Sequence, residues 1–493
     1  MAARKKTEAD TVRSMSMIAN GKEMFGREVI KLDYDVIDES NILDALSKVL
    51  PIHDKNAAET EYLWQYYKGN QPILHRTKTV RPEINNKTVV NVANEIVSFK
   101  VGYEVGEPIQ YVSRINDEAT MKSVMRLNEF MFSEDKAAQD QEIAEWQAIC
   151  GTCYRLVLPD QDAAEDEDES PFELYTMDPR DTFVAYSTRL GNNPILSGTR
   201  YQINGKTEWT LYTDTHTYVV RDGKLISADP HAYWMIPIFE YPFNRARLGA
   251  FEIVLPLTDF LNNVQSNRGD NIDQIVQAFI KFINCDIDEA KFAALKEMGA
   301  IKVKSVQGQK ADVDVVKTEL NQDQTQTLVN DVYQRILTIC GMPNRNGGTS
   351  TSDTGNAVIF RDGWEAAESR AKDFENIFKK SEKKMLKLVL HIMEELAGVQ
   401  LKISKIDMKF TRRNYENIQS KAQVLTTMLG NPKIHPKLAF EHCGMFSDPE
   451  SAYTESDKYY EKVQSEIEPK NDPDDNPTKQ KTQNGGVTGG EGE

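Results

Sequence analysis

Apolar residues recur at helical spacing in several long stretches of the chain. In residues 41–67 they fall on one face, and Pro51 predicts that this stretch divides into two helices. Residues 251–283 and 321–339 predict two further long helices, and residues 353–397 predict another. Helices are therefore expected to dominate the fold.

The helix predicted over residues 251–283 is unusual because its two ends are apolar while its middle, residues 262–271, is polar nearly all round. Such a helix fits a rod that packs beside copies of itself with water on at least one side. Two separate helices joined near Arg268 and Gly269 are the alternative. Residues 284–318 predict a compact α/β insert between the two rods, so this part of the chain is expected to form a hairpin with a knob at its tip.

Alternating apolar and polar residues indicate strands elsewhere in the chain. Residues 172–241 contain several short runs of this kind, punctuated by the hairpin dipeptides Asn-Gly at 204–205 and Asp-Gly at 222–223. Residues 403–413 predict a further strand, and residues 300–304 and 311–316 predict two strands inside the insert. Together with the helices, these runs predict an α+β fold that is mainly helical.

Glycines and polar stretches divide the remaining chain. Residues 85–111 and 140–158 each predict a helix that passes through a Gly-containing turn into a strand. Residues 414–466 predict three short helices. The two ends are polar, so residues 1–40 are interpreted as an N-terminal arm and residues 467–493 as a disordered tail.

Composition narrows the class of protein. The chain has 493 residues, 40% hydrophobic and 27% charged, which is ordinary for a soluble globular protein large enough for two or three subregions. Five thinly spread cysteines favour reduced thiols in a cytosolic setting, and no stretch has the roughly 18–20 apolar residues of a membrane span. The net charge of -17 argues against a simple nucleic-acid binder. An acidic surface would still let DNA slide past, because it gives DNA no deep minimum of binding free energy. The other explanation of the net charge is solubility alone.

The catalytic and metal-binding patterns that were sought are missing or isolated. Cys150 and Cys153 form a CxxC, but no second ligand pair at zinc spacing accompanies them. The stretch Gly341–Ser350 lacks the Lys-Ser/Thr of a phosphate-binding loop and follows a helix rather than a strand. We therefore expect no enzymatic activity, no cofactor and no metal.

The most informative stretch is Cys340–Glu368, which begins with a loop between two long predicted helices. It is rich in Gly, Asn, Ser and Thr, and Arg345 is its only charge before Asp353. Glycine allows close approach to a polyanion, and backbone N–H groups and neutral amides can contact phosphate oxygens. The loop therefore offers contacts to a polyanion and has no evident catalytic group.

The chain resembles the portal proteins of tailed double-stranded DNA phages, the siphophage type found in Gram-positive hosts. The resemblance rests on the order and spacing of several motifs across residues 50–460 rather than on any single one. These motifs are Tyr66–Gly69, Asn85–Tyr111, Gly151–Arg155, Asn244–Glu252, the loop leading into Ser352–Ala357, and Phe410–Asn414.

The resemblance implies a portal fold that assembles into a ring, normally a dodecamer, around a central channel. Its regions would be distributed along the chain as follows: arm 1–40, wing 41–248, first stem helix 249–283, clip 284–318, second stem helix 319–340, tunnel loop 341–352, wing helix and strand 353–413, crown 414–466 and tail 467–493. Pro256 departs from the family pattern and leaves the start of the first stem helix open.

The function implied by the resemblance is that of a conduit for DNA packaging and ejection at one capsid vertex of the virion. The implied partners are further copies of the chain, double-stranded DNA, the terminase large subunit, the major capsid and scaffold proteins, and a head–tail adaptor, with no membrane. Another ring-forming connector and a nucleic-acid-processing enzyme are the alternatives. The residues hypothesised to touch DNA in the tunnel are Asn344, Arg345, Asn346 and Thr349, with Lys302 and Lys304 as clip candidates for DNA or terminase.

Overall fold

A computed structural model provides the structure of the protein. It describes residues 26–115, 117–160, 169–276, 279–283, 312–316, 322–343, 363–412, 418–446 and 449–467. Two compact units divide the chain between Asn414 and Tyr415. The first unit contains both helices and sheets, whereas the described part of the second unit is helical. The predicted class, mainly helical α+β, is confirmed.

The α-helices are numbered in chain order. They are α1 Ile42–Tyr67, α2 Val92–Glu104, α3 Glu118–Ser133, α4 Lys136–Cys150, α5 Leu255–Val276, α6 Gln322–Cys340, α7 Trp364–Ala397, α8 Ile418–Leu429, α9 Pro436–Cys443 and α10 Pro449–Ile467.

The strands are numbered in the same way. They are β1 Lys31–Leu32, β2 Gln110–Ser113, β3 Thr152–Pro159, β4 Phe172–Met177, β5 Thr182–Ser187, β6 Pro194–Ile203, β7 Lys206–Tyr212, β8 His216–Arg221, β9 Lys224–Pro230, β10 Ile238–Pro242, β11 Phe279–Ile283, β12 Asp312–Val316 and β13 Ile406–Lys409.

Two sheets occupy the β-rich stretch that the sequence predicts. One has six strands in the order β1-β5-β6-β7-β8-β9, and the other has three in the order β10-β3-β4. The predicted hairpins at residues 204–205 and 222–223 join β6 to β7 and β8 to β9, and both residues of each turn have positive φ, as a tight hairpin turn requires. Strand β13 pairs antiparallel with β2, which joins two distant parts of the chain.

The largest core lies around helices α4 and α7. It is built from the apolar faces of α1 to α4 and α7 together with the three-stranded sheet, and its members include Leu63, Ile96, Ile143 and Phe378. The start of α5 and the end of α6 enter the same core through residues such as Leu261 and Ile336. The start of α5 and the end of α6 are therefore packed in the main core of the first unit.

Residues 26–40 differ from the predicted arm. Lys31–Leu32 pairs parallel with β5, and Ile30, Leu32 and Ile37 are buried in a second core with Phe183. These apolar residues show no helical or strand period because the only regular element among them, β1, is two residues long. The earlier part of the predicted arm, residues 1–25, lies outside the described residues.

Pro51 does not break the first helix, so the predicted division of residues 41–67 is wrong. Helix α1 runs unbroken from Ile42 to Tyr67. Proline removes the hydrogen bond to the carbonyl four residues earlier, which belongs to Ser47. Both Pro51 and Ser47 are exposed, so water can bind that carbonyl while the opposite face of the helix stays packed in the core.

The first long helix is continuous through Arg268 and Gly269, which excludes two helices joined there. It begins at Leu255, and Pro256 lies in the first turn, where its missing N–H costs little. It ends at Val276, however, and the predicted continuation to residue 283 is wrong because Phe279–Ile283 is a strand that pairs antiparallel with β12. The run Phe-Ile-Lys-Phe-Ile suits either period, and its aromatic and β-branched content favours the strand.

The second unit contains helices α8, α9 and α10, close to the three that the sequence predicts. Its described core is small: Ala439, Phe440 and Cys443 are buried, and Phe440 packs against the rings of Phe446 and Tyr453. The described part of this unit thus has little apolar area to stabilise it.

Candidate functional site

Helices α5 and α6 pack against each other as a pair of rods. Leu261 from α5 and Val329, Val332 and Ile336 from α6 are buried in the shared core. Farther along, polar contact replaces apolar contact, since Nη1 of Arg268 donates to Oε1 of Gln326 at 3.0 Å. The pair is therefore apolar where α5 begins and α6 ends, which we call its base, and polar toward the insert that connects the two helices.

The polar middle of α5 binds another segment of the same chain. Asn262, Ser266 and Asp270, spaced four residues apart, are buried on one face. The amide of Val90 donates to Oδ1 of Asn262 at 2.8 Å, and that of Thr88 donates to Oγ of Ser266 at 2.9 Å. These two contacts and a third, between Asn86 and Asp270, form what we call the polar ladder.

The third rung of the ladder joins the amide of Asn86 to Oδ1 of Asp270 at 2.6 Å. Four helical residues rise about 6 Å, and two residues of an extended chain advance about 6.6 Å, so alternate amides of residues 86–90 meet successive turns of the helix. Gly269 allows this approach, because a Cβ there would lie 3.0 Å from Cγ of Asn86. Part of the polar middle is thus bound within the chain rather than by copies of it.

Asp270 carries most of the charge in the ladder. Its carboxylate contacts Nη2 of Arg76 at 2.7 Å and Nζ of Lys78 at 2.5 Å. Partial burial raises the pKa of Asp270, but hydrogen bonds from Lys78, Asn86 and Arg76 outweigh that effect and lower the pKa to about 2. Asp270 is therefore ionised at neutral pH and holds residues 76–90 on the helix.

The Gly-rich loop begins at a fixed point at the end of α6. Cys340 and Met342 are buried, and Nη1 of Arg370 donates to the carbonyl of Ile339 at 2.9 Å. Gly341 has φ +64, and a Cβ there would lie 2.2 Å from Cδ of Arg370. Only glycine fits this position without strain and without displacing the arginine.

The loop returns to nearly the same point. Gly363, which precedes α7, has φ +83, and a Cβ on it would lie 3.8 Å from the carbonyl oxygen of Met342 and 3.9 Å from Cα of Pro343. The chain therefore departs at Pro343 and re-enters at Gly363 beside its own exit. Residues 344–362 lie outside the described residues.

Aromatic and charged residues hold the start of α7 in place. Trp364 packs near the rings of Phe99 and Tyr103, at centroid distances of 6.2 and 5.8 Å. The hydroxyl of Tyr103 and Nη1 of Arg412 donate to the two carboxylate oxygens of Glu368, at 2.9 and 2.6 Å. Arg412 also pairs with Glu375. The re-entry point of the loop is thus as firmly anchored as its exit.

A buried acid lies close to this anchor. Glu104, at the end of α2, is 3% exposed, and one of its carboxylate oxygens is 3.8 Å from Nζ of Lys100. Burial raises the pKa of Glu104 to about 7, although Lys100 and Arg412 act in the opposite direction. This group therefore changes charge near neutral pH.

A second buried charge cluster lies in the main core and was missed by the sequence analysis. Arg155 and Lys136 bind the carboxylate of Asp140 at 2.7 and 2.6 Å, and Lys136 also binds Glu382 at 2.9 Å. The hydroxyls of Tyr241 and Tyr111 donate to the two oxygens of Glu382. Two cations and two carboxylates balance, so the cluster joins α4, α7 and three strands without a net charge.

This cluster is suited to structure rather than catalysis. Arg155 and Glu382 are 0% exposed, and burial raises the pKa of both tyrosines well above the usual range. A substrate would have no access to these groups. The sequence signals of this cluster were Arg155, a charged residue within an apolar strand, and Glu382, a charged residue on the apolar face of α7.

The described residues contain no group of three His, Cys, Asp or Glu side chains that could hold a metal ion. The thiols of Cys150 and Cys153 are buried and unbridged, and burial raises the pKa of Cys150 to about 11. Among the helices of the described ranges, none is long and apolar enough to cross a bilayer.

The residues predicted to contact DNA or terminase are not among those described. Asn344, Arg345, Asn346 and Thr349 belong to the loop, and Lys302 and Lys304 belong to the insert. The structure brings together the two ends of the loop at the base of the rod pair. The roles assigned to residues within the loop and the insert stay predictions.

Comparison with known proteins identifies the family. The family model described as "Phage portal protein, SPP1 Gp6-like" matches residues 46–470. Two solved structures are similar to this chain over much of its length. A chain from "Virion of native gene transfer agent (GTA) particle" has TM-score 0.45 and 11% identity, with 79% of this chain and 94% of that chain covered. A chain from "Neck of empty GTA particle computed with C6 symmetry" has TM-score 0.41 and 10% identity, with 72% and 90% covered. No curated protein matches. Since the family model spans most of its length, the chain belongs to the SPP1 Gp6-like family of phage portal proteins.

Proposed function

We propose that this portal protein forms a dodecameric ring at one vertex of the capsid of a siphophage of Gram-positive hosts. The ring is the conduit through which double-stranded DNA enters during packaging and leaves during ejection. The family match supports the portal role and a place in the virion. The ring number and the host rest on the resemblance described above.

The regions of the ring follow the elements of the chain. Helices α5 and α6 form the stem, and the insert between them forms the clip, which docks the terminase large subunit and later the head–tail adaptor. The first unit outside the rods forms the wing, which faces the major capsid and scaffold proteins. The second unit forms the crown. The polar ladder supports this assignment, because it fixes α5 to the wing along one face and leaves the other faces for α6 and for neighbouring subunits.

The observation that carries the proposal is the position of the Gly-rich loop. Its two ends meet at Pro343 and Gly363, where α6 ends and α7 begins, so both ends of the loop are held at one place on the first unit. In a ring, we propose that the twelve loops narrow the channel. Asn344, Arg345, Asn346 and Thr349 would touch DNA phosphates there, and Lys302 and Lys304 would contact DNA or terminase at the clip.

The portal does no chemistry in this scheme. The terminase ATPase supplies the energy, and the acidic surface of a chain with net charge -17 keeps DNA from adhering to the channel. Cofactors and metals are not required.

A loop replacement tests the conduit. Residues 344–350 are replaced by a short Gly linker, and DNA packaging and retention are measured in an assembly reaction with terminase. Equal shortening within residues 160–170, an acidic stretch of the sequence, is the matched control. We expect the loop variant to form rings but to package or retain less DNA than the control. Unchanged packaging and retention in the loop variant would contradict the proposed role of the loop.

A further inference from the structure

Helix α7 carries a row of four lysines on its solvent side. Lys380, Lys383, Lys384 and Lys387 are all exposed, whereas Phe378 and other residues on the opposite side lie in the core. At about 100° per residue the four fall within an arc of about 100°, and they span about 10 Å along the helix. We call these residues the lysine row.

The charges of the lysine row are not neutralised by the surrounding protein. None of the four forms an ion pair with a carboxylate of the described residues, whereas Lys379 pairs with Glu375 and Lys372 with Glu368 on the same helix. Partial burial and the neighbouring charges of Lys380 and Lys387 lower the pKa of Lys384. The row therefore concentrates positive charge on a chain whose net charge is -17.

The carboxylate that acts on Lys384 is already occupied. Glu240 interacts with Lys384, but it is bound by Nη2 of Arg247 at 2.8 Å and by the hydroxyl of Tyr186 at 2.6 Å. Exposed acids return on α7 only at Glu394 and Glu395, beyond the row. The elements packed beside the row thus leave its charge uncompensated.

An exposed aromatic residue lies at the end of the row. Trp234 is 51% exposed, and its ring meets that of His391 edge-on at 5.3 Å, one helical turn beyond Lys387. Its φ is +45, which is rare for a bulky residue. Strained, exposed residues of this kind are concentrated at binding sites.

We propose that the lysine row, with Trp234 at its end, binds the phosphate backbone of duplex DNA outside the Gly-rich loop. Duplex DNA carries one negative charge per about 1.7 Å of axis, so about 10 Å of duplex offers about six phosphates to four ammonium groups. Trp234 adds an apolar contact for the sugars. The choice of DNA over an acidic protein rests on the proposed function, which brings duplex DNA to the portal.

The salt dependence of DNA binding tests this proposal with the full chain. Binding of a labelled 30-base-pair duplex is measured by fluorescence anisotropy over a range of NaCl concentrations. In one variant the four lysines of the row are changed to Gln. In the control, four exposed lysines that each have an acidic partner are changed in the same way: Lys48, Lys55, Lys122 and Lys206.

Both variants carry the same net charge, so a difference between them reports position. We expect the row variant to lose at least tenfold in affinity at low salt. The magnitude of its slope of log Kobs against log salt should fall by about 3.6, since each of the four phosphate contacts contributes about 0.9. The control should keep the slope of the unaltered protein. Changing the row to Arg should keep the slope as well. Trp234→Ala should weaken binding without changing the slope.

Three results would overturn the proposal. The first is that the unaltered protein does not bind DNA, and the second is that the row variant and the control lose equal affinity for DNA. The third is that the row variant loses binding to polyglutamate while its DNA binding is unchanged, which would assign the surface to an acidic protein. Ring formation is recorded on the same samples by native mass spectrometry. Intact rings with unaltered DNA binding in the row variant would reject this surface and leave the portal function standing, whereas a failure to form rings would bear on the portal function itself.

Discussion

Removal of the Asp270 carboxylate should release residues 76–90 from helix α5. In Asp270→Ala, the amide of Asn86 loses a charged acceptor at 2.6 Å, a bond worth about 1.5–3 kcal/mol. Arg76 and Lys78 lose a shared partner, but their side chains are 15% and 26% exposed, so each pair contributes at most about 1 kcal/mol. The expected loss of local stability is about 3 kcal/mol.

Hydrogen exchange is the suitable assay, because a first unit of this size is not expected to unfold in one step. A loss of about 3 kcal/mol corresponds to about 100-fold faster exchange at the amides of Asn86, Thr88 and Val90, which donate to successive rungs of the ladder. Asp270→Asn keeps an acceptor for Asn86 and loses only the ion pairs, so about tenfold faster exchange is expected.

A matched control exists on the neighbouring helix. Asp331 on α6 forms an i,i+4 pair with Arg335, and both side chains are more than half exposed. Asp331→Ala should change exchange in residues 86–90 by less than twofold, since such pairs contribute a few tenths of a kcal/mol. Equal exchange in Asp270→Ala and the unaltered protein would refute the ladder as the attachment of this segment.

Three further predictions concern the core and the anchor of the loop. Glu382→Gln leaves Arg155 and Lys136 with one buried carboxylate, a local loss of about 3–5 kcal/mol that should lower the urea midpoint of the first unit. Glu394→Gln, on the exposed side of α7, should leave the midpoint almost unchanged, and similar midpoints in the two variants would contradict the role of the cluster. Gly341→Ala forces a side chain into a left-handed conformation and against Arg370. Gly205→Ala, at an open turn with positive φ, measures the backbone effect alone, about 1–2 kcal/mol, so Gly341→Ala should lower the thermal midpoint further than Gly205→Ala does; equal shifts would show that the contact with Arg370 is unimportant. Because the folded pKa of Glu104 is raised to about 7, its contribution to stability is full below pH about 4.5 and is lost as pH rises through about 7. The difference in stability between the unaltered protein and Glu104→Gln should therefore change over this pH range. A constant difference would contradict the assignment.

Much of the fold follows from local patterns in the sequence. The hairpins at residues 204–205 and 222–223 were predictable because an Asn-Gly or Asp-Gly pair adopts the positive φ values of a tight turn. The strand after Gly151 was predictable for a similar reason, since the apolar period changes there from helical to alternating. Such features depend on a few neighbouring residues.

The features that were missed depend on contacts between distant residues. The polar face of α5 suggested water or further copies, because nothing in residues 262–271 reveals that residues 86–90 supply the partners. Arg155 and Glu382 are more than two hundred residues apart in the chain, and only the packing of α7 on the sheet brings them together. The core position of Ile30 and Leu32 likewise requires the parallel pairing with β5.

The candidate site was predicted in outline. The loop was expected between two long helices, and both helices and the two anchored ends of the loop are present. The anchoring residues Arg370, Trp364 and Arg412 were not predicted, since their partners lie on α2, on α6 and within α7.

The central claim is that this chain closes into a portal ring, and the most direct test is electron microscopy of the purified protein with native mass measurement on the same sample. We predict rings with a central hole and about twelve subunits, formed by the protein alone or in the presence of scaffold. A compact monomer or dimer that persists at high concentration with scaffold present would contradict the account.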